Sequence, residues 1–242
     1  SVGGGSLINV IAYQADARLC CETEAVPALE EKLTELREQI CRAYQHTEPG
    51  LEIGWTFAPV NEAETVLEEN EAAAACDLME LAPTGAFTMM DETMSLAESS
   101  ANLGILKETD GKLELKFSLR SNKEYLMDLV IHKYEILAAR CGAGLHMESR
   151  LPCWEYNPDS ALMRQVERMY TECNKEAPEL RKIHAGVEGA VFIEKQKRKG
   201  RPFEVVNIGC NQPDVHTPRE RLQIASVGKT FTLLKKILRE LE

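Results

Sequence analysis

The residues best suited to chemistry lie in two loops of the C-terminal third of the sequence. In one loop an isoleucine leads into His184, which is followed by an Ala-Gly pair. In the other, the apolar run 203–208 ends at a glycine, and a polar loop then carries His216. Loops that follow the carboxyl ends of parallel strands are where α/β proteins place their ligands. We therefore expect a ligand site in this region.

His216 is the strongest single candidate for a metal ligand. Val215 precedes it and a Thr-Pro pair follows it, and this restricted setting suits a metal ligand, which must be held stiffly. An exposed loop histidine is the competing interpretation. For His184 the competing interpretation is a side chain that lies against the backbone at the end of a strand.

No other pattern completes an active site. The sequence contains no His-x-Asp, His-x-x-x-His, Gly-x-Ser-x-Gly, Walker A or Gly-x-Gly-x-x-Gly motif. The common signatures of serine hydrolases, nucleotide triphosphatases and dinucleotide-binding proteins are therefore missing. The basic run 194–201 is expected to be an exposed loop, with a phosphate site as the weaker alternative.

Hydrophobic periodicity predicts the elements that position these residues. Apolar residues three or four apart predict helices with one buried face, and strict alternation predicts strands. Asp110-Gly111 between two alternating runs predicts a two-residue hairpin turn. Strand, helix and strand occur in this order twice, which predicts a two-layer α/β-sandwich domain over residues 1–150. The predicted helices are 24–44, 61–81 and 122–141, and the predicted strands are 7–22, 51–57, 102–108, 112–119 and 145–150.

The character of the sequence changes after residue 150. A Pro- and Trp-containing connection is followed by a predicted helix over 159–175, a strand over 203–208 and a final helix over 226–241. This pattern suggests strands of a parallel α/β sheet. Because the segment has so few strands, we expect residues 151–242 to be only part of a domain.

Composition excludes several classes of function. The chain has 242 residues, with 28 Lys and Arg against 39 Asp and Glu, for a net charge of −11. Nucleic acid is therefore not expected as a partner, because binding to phosphates requires a basic face. No apolar stretch is long enough to span a membrane and no leader opens the chain, so we expect a cytoplasmic location. The eight cysteines contain no C-x-x-C pair and are expected to be reduced and buried.

Six short motifs, spread over almost the whole chain, resemble the aminoacyl-histidine (Xaa-His) dipeptidases. These enzymes are dizinc peptidases with a catalytic domain and an inserted lid domain. The motifs occur in the family's order, which implies that this chain corresponds to the lid and the C-terminal part of the catalytic domain. The motifs are Asn9-Val10-Ile11, Ser118-Leu119-Arg120-Ser121, Leu151-Pro152-Cys153-Trp154, Ile183-His184-Ala185-Gly186, Val215-His216-Thr217-Pro218 and Ile224-Ala225-Ser226-Val227.

The resemblance also implies roles for individual residues. His216 corresponds to one ligand of the two zinc ions. Asn9, Arg120 and Gly186 correspond to substrate-binding residues, and a bidentate guanidinium suits the terminal carboxylate of a peptide. The family's other metal ligands and its general base have no counterpart in this sequence, so no catalytic residue is assigned.

Two hypotheses follow from the resemblance. In the first, the chain is part of a zinc-dependent dipeptidase for Xaa-His-type dipeptides and is inactive alone. In the second, it is a non-catalytic α/β module for interaction or assembly that keeps the peptidase scaffold. The family also implies a homodimer formed through the lid domain.

Overall fold

The computed structural model describes residues 1–60, 66–90, 96–181, 188–215 and 219–240. Within these ranges the chain has six α-helices and five β-strands, which confirms the predicted α/β class. The helices are α1 (Val26–Tyr44), α2 (Glu69–Leu81), α3 (Glu124–Arg140), α4 (Ala161–Asn174), α5 (Glu188–Arg198) and α6 (Ile224–Glu240). The strands are β1 (Val2–Gly4), β2 (Ala15–Ala17), β3 (Gly85–Met89), β4 (Ala97–Thr109) and β5 (Lys112–Ser121).

The chain divides into two compact units. One unit comprises residues 1–80 and 103–116, and the other comprises residues 81–102 and 117–242. These divisions fall within the segment that we predict to be the lid. The predicted domain boundary at residue 150 stays a prediction.

In the first unit, short antiparallel strands surround the N-terminal loop. Strand β1 pairs with β2, with Val2 opposite Ala17, and also with β4, where Gly4 lies opposite Leu106. Asp110 and Gly111 join β4 to β5 with φ angles of 52° and 69°, respectively. Positive φ at both positions is the requirement of a type I′ turn, so the predicted hairpin is confirmed.

In the second unit, α3 packs on the sheet. Strand β3 pairs antiparallel with β4, with Gly85 opposite Ala101. Val130 and Tyr134 of α3 form a buried cluster with Ala82 and Ala101. The hydroxyl of Tyr134 donates a hydrogen bond to the Pro83 carbonyl, and burial raises the pKa of this phenol.

A second cluster in this unit joins α4 and α6. Met169 is fully buried and packs with Val166 of α4 and Leu233 of α6. Val206 and Ile208 also pack against this cluster. The apolar run 203–208 therefore contributes to a core, as its pattern predicts, although it has no strand structure.

Several predicted elements are wrong. Residues 51–57, 145–150 and 203–208 form no strand, and the described part of the segment 151–242, for which strands of a parallel sheet were expected, has no strand. An alternating pattern makes a strand only where a neighbouring chain supplies hydrogen bonds. Trp55, in the middle of the predicted strand 51–57, makes a side-chain contact with a helix and no strand pairing. The Arg37 guanidinium of α1 lies 4.9 Å from the centre of the Trp55 ring.

Helix α5 replaces much of the loop that was expected from the basic run. Glu188 lies in its first turn, and Lys195, Lys197 and Arg198 lie in its last turn. This distribution of charge suits the helix dipole, which favours acidic residues at the N-terminus and basic residues at the C-terminus. Arg198 also forms an ion pair with Glu194 one turn earlier, at 2.8 Å.

Two predictions about burial are also wrong. Cys20, Cys21 and Cys76 are exposed and the other five thiols are half-buried. The C-terminal half of the α1 stripe is exposed, with Tyr44 at 51%. Apolar spacing predicts which side chains share a face, but burial also requires a packed neighbour on that face.

We expect Met169→Ala to lower the free energy of unfolding by about 2–5 kcal/mol, because the side chain is fully buried in the α4–α6 cluster. Urea denaturation followed by circular dichroism measures this loss. Met147→Ala is the matched control, since Met147 is 49% exposed and its replacement should cost about 0.5 kcal/mol or less. Equal losses for the two variants would contradict the assignment of this core.

Candidate functional site

Asn9 lies in an exposed turn of the loop that joins β1 to β2. The N–H of Gly5 donates to the Gln14 carbonyl at 3.1 Å, and this bond closes the loop. Within it, the N–H of Val10 donates to the Leu7 carbonyl at 3.3 Å. The Asn9 side chain is thus presented to solvent on a loop whose ends are fixed by the strand pairing.

Gly104 of β4 allows this loop to approach the sheet. It is buried, and a Cβ atom built on it would overlap the carbonyl oxygen of Ile8. A residue with a side chain would therefore push the neighbouring Asn9 turn away from β4. This contact could not be predicted from local sequence, because Gly104 lies within an otherwise regular strand and nearly a hundred residues from the loop.

Arg120 is half-buried near the end of β5, and the turn that follows it is firmly held. The N–H of Asn122 donates to the Glu98 carbonyl at 3.3 Å. The Lys123 ammonium forms an ion pair with the Glu98 carboxylate at 2.9 Å, and this hydrogen bond raises the pKa of Lys123. The turn between β5 and α3 is therefore attached to β4 through two adjacent residues.

The proposed metal ligand His216 lies outside the described residues, but the neck of its loop is described. The N–H of Gln223 donates to the Asn211 carbonyl at 2.9 Å, and the Asn211 side-chain amide donates to Gln223 Oε1 at 2.8 Å. The N–H of Asn211 donates in turn to Ser226 Oγ at 3.0 Å. Closer to the tip, Arg221 forms a 2.6 Å ion pair with Asp214. These polar contacts close the loop that carries His216.

Gly186 and His184 also lie outside the described residues. The helix that follows them, α5, is tightly packed at its start. A Cβ built on Gly189 would come within 2.7 Å of Val205 Cγ1 and 3.4 Å of the Trp154 ring. The start of α5, which follows Gly186 in sequence, is therefore closely packed.

The segment around residue 204 is held by an interaction that the sequence did not reveal. The Glu204 carboxylate accepts hydrogen bonds from the N–H groups of Leu162 and Ala161, at 3.0 and 3.2 Å. These N–H groups at the start of α4, the Leu162 one foremost, hold the pKa of Glu204 below its usual value. Glu204 thus caps α4 from a position more than forty residues away.

The described residues do not make a metal site. Among them, no group of three or more His, Cys, Asp or Glu side chains could hold a metal ion. A zinc site needs at least three protein ligands. The residues described thus do not by themselves fit the two zinc ions that the resemblance implies.

No helix in the described ranges is both long enough and apolar enough to cross a membrane.

A relative of known activity aligns with almost the whole chain. Over 238 residues the chain is 25% identical to the cytosol non-specific dipeptidase of Escherichia coli (strain K12), and the alignment covers 98% of the chain. The chain is homologous to this dipeptidase. The same alignment covers 48% of the relative, so the chain spans about half the length of the protein it matches.

A solved structure shows the same scaffold. The fold superposes on the crystal structure of aminoacylhistidine dipeptidase from Vibrio alginolyticus with a TM-score of 0.78 and 22% sequence identity. The match covers 99% of this chain and 48% of that chain. No protein-family model matches the sequence. Homology and fold together confirm the resemblance that the motifs predicted.

We expect Gly104→Ala to displace the loop that carries Asn9, because the added methyl group would overlap the Ile8 carbonyl. Amide hydrogen exchange should rise over residues 5–14. Gly54→Ala is the matched control, since a Cβ at Gly54 meets nothing within 4 Å. Unchanged protection of the loop in Gly104→Ala would show that the close approach does not position it.

We also expect Asn211→Ala to loosen the neck of the His216 loop, because it removes the side-chain bond to Gln223. Amide exchange at Arg221 and Gln223, whose N–H groups bond across the neck, should become faster by about fivefold, the effect of one ordinary hydrogen bond. Asn207→Ala, an exposed asparagine just before the neck, serves as control. Equal exchange in the two variants would contradict a role for Asn211.

Proposed function

We propose that this chain forms the lid and the C-terminal part of the catalytic domain of a zinc-dependent dipeptidase. The observation that carries the proposal is the homology over 98% of the chain to an enzyme named as a dipeptidase. Homology to a peptidase indicates an enzyme of the hydrolase class. The match spans 48% of that relative, and we propose that the activity belongs to the whole enzyme and that this chain alone is inactive.

Arg120 would bind the terminal carboxylate of the dipeptide in this enzyme. Its strand end is attached to β4 by the Asn122 main-chain bond and the Lys123–Glu98 ion pair, so the guanidinium starts from a fixed backbone. Arginine suits this role because its planar fork donates two parallel hydrogen bonds to a carboxylate. Asn9 would add a polar contact to substrate, and Gly186 a backbone contact.

His216 would contribute one zinc ligand. The support is its place in the family motif and the closed neck between Asn211 and Gln223, which limits the positions that the loop can adopt. The remaining ligands and the general base would come from outside this sequence. Preference for Xaa-His-type dipeptides, a cytoplasmic location and a homodimer formed through the lid are parts of the same proposal.

The non-catalytic alternative makes a different genetic prediction. A dipeptidase of the family that this chain resembles should carry His-x-Asp and Glu-Glu motifs, encoded upstream in the same reading frame. If the DNA upstream of the Ser1 codon encodes both motifs, the alternative is excluded. If the reading frame starts at this sequence, the chain is an interaction or assembly module that keeps the scaffold.

The chain of 242 residues, purified alone, should neither bind zinc tightly nor cleave dipeptides. Zinc affinity is measured by competition with a chromophoric chelator, and hydrolysis by release of free histidine from an Xaa-His dipeptide. His216→Ala should leave both measurements unchanged in the isolated chain. Turnover above that of a boiled sample, lost in His216→Ala, would overturn the proposal that the chain is inactive alone.

In the complete reading frame, Arg120→Met should lower kcat/KM for dipeptides with a free carboxylate by about 10- to 100-fold, the range for loss of hydrogen bonds to a charged group. Dipeptide amides, which lack that carboxylate, should be cleaved equally by the variant and the parent. Lys112→Met, at the exposed start of the same strand, is the matched control. An equal loss on both classes of substrate would argue against carboxylate binding by Arg120.

A further inference from the structure

The connection that follows α3 lies back against the first turn of that helix. The Arg150 guanidinium forms ion pairs with Glu124, at 2.6 Å, and with Asp128, at 2.7 Å. Glu124 and Asp128 are four residues apart and therefore share one face of α3. One guanidinium thus spans a full turn of the helix.

A second contact attaches the connection three residues later. The main-chain N–H of Cys153 donates to Glu124 Oε1 at 2.7 Å, while Oε2 of the same carboxylate accepts from Arg150. Both oxygens of Glu124 are therefore engaged with the connection. An exposed ion pair alone contributes little, but here one carboxylate holds a side chain and a main-chain group at once.

The electrostatics of this contact agree with its geometry. Partial burial raises the pKa of Glu124, but the N–H of Cys153 and the Arg150 guanidinium outweigh it and hold that pKa below its usual value. Burial, with the Glu124 carboxylate beside the thiol, raises the pKa of Cys153 to about 11. The thiol should therefore react slowly at neutral pH for as long as the connection stays on α3.

The next residue, Trp154, contacts a different part of the unit. Its ring lies at the start of α5, where a Cβ on Gly189 would be 3.4 Å from Cζ3, and Val205 lies at the same place. Gly189 is buried. Arg150 and Cys153 are thus attached to α3, whereas the Trp154 ring lies at the start of α5.

We propose that Glu124 and Arg150 form a latch that fixes residues 150–153 to α3, so that any movement of α3 relative to α5 is confined to the backbone between Cys153 and Trp154. The latch lies at the boundary that we predict between lid and catalytic segment. It is a property of the chain itself and does not depend on peptidase activity. A result that contradicts the latch therefore does not contradict the proposed function, and a result that contradicts the proposed function does not contradict the latch.

The latch is tested by the rate at which iodoacetamide alkylates Cys153 in the folded chain, followed for each cysteine by peptide mass spectrometry. Arg150→Met should make alkylation of Cys153 about tenfold faster, because the ion pairs of Arg150 with α3 are lost and only the Cys153 N–H bond to Glu124 remains. A faster rate would point to loss of the attachment and not to the change in charge. Removal of the Arg150 cation by itself would raise the pKa of the Cys153 thiol and slow its alkylation. Arg140→Met, an exposed arginine in the last turn of the same helix, is the matched control.

Cys141 and Cys173 are half-buried thiols elsewhere in the unit and report general loosening. Faster alkylation of Cys153 alone, with faster amide exchange over 150–153 and unchanged exchange over α5, supports the latch. An unchanged Cys153 rate in Arg150→Met overturns it. If alkylation becomes faster at all three thiols, amide exchange in Glu124→Gln decides the question. Faster exchange at Cys153 with α5 still protected supports the latch. Equal increases at Cys153 and in α5 overturn it.

Discussion

Main-chain N–H groups that have no partner in a helix or sheet must be bonded by something else, and in the second unit side-chain oxygens meet this requirement. Glu204 accepts from the first N–H groups of α4, Glu124 accepts from Cys153, and Ser226 accepts from Asn211. A hydrogen bond from a main-chain N–H to an ionised carboxylate is about twice as strong as one between neutral groups. These three residues therefore hold the irregular segments of this unit in place, including the loop that carries the proposed zinc ligand.

The same requirement explains which parts of the fold could be predicted from sequence. Helices α1, α3, α4 and α6 and the Asp110-Gly111 turn follow from residues close in sequence, and all five are found where local patterns place them. The runs 51–57 and 203–208 have strand-like patterns but no strand structure, because a strand needs hydrogen bonds from a distant part of the chain. Local periodicity carries no information about whether that distant partner is present.

The candidate site shows a similar division. Arg120 was assigned through its motif, and the structure places it near a strand end whose following turn is well anchored. Gly104, Asn211 and Glu204 were not found from sequence, because each acts through a residue that is not its neighbour in the chain. A glycine inside a strand and a glutamate inside a mainly apolar run have many ordinary explanations. Only the three-dimensional contacts distinguish these positions from the rest.

The chain contains two tryptophans, and they lie in different units. Trp55 belongs to the first unit, where the Arg37 guanidinium covers its ring, and Trp154 belongs to the second, beside Gly189 and Val205. Each indole thus has an environment that disappears when its own unit unfolds. Replacement of either one by phenylalanine leaves a single intrinsic fluorophore. Emission from the remaining tryptophan then reports the unfolding of one unit without a contribution from the other.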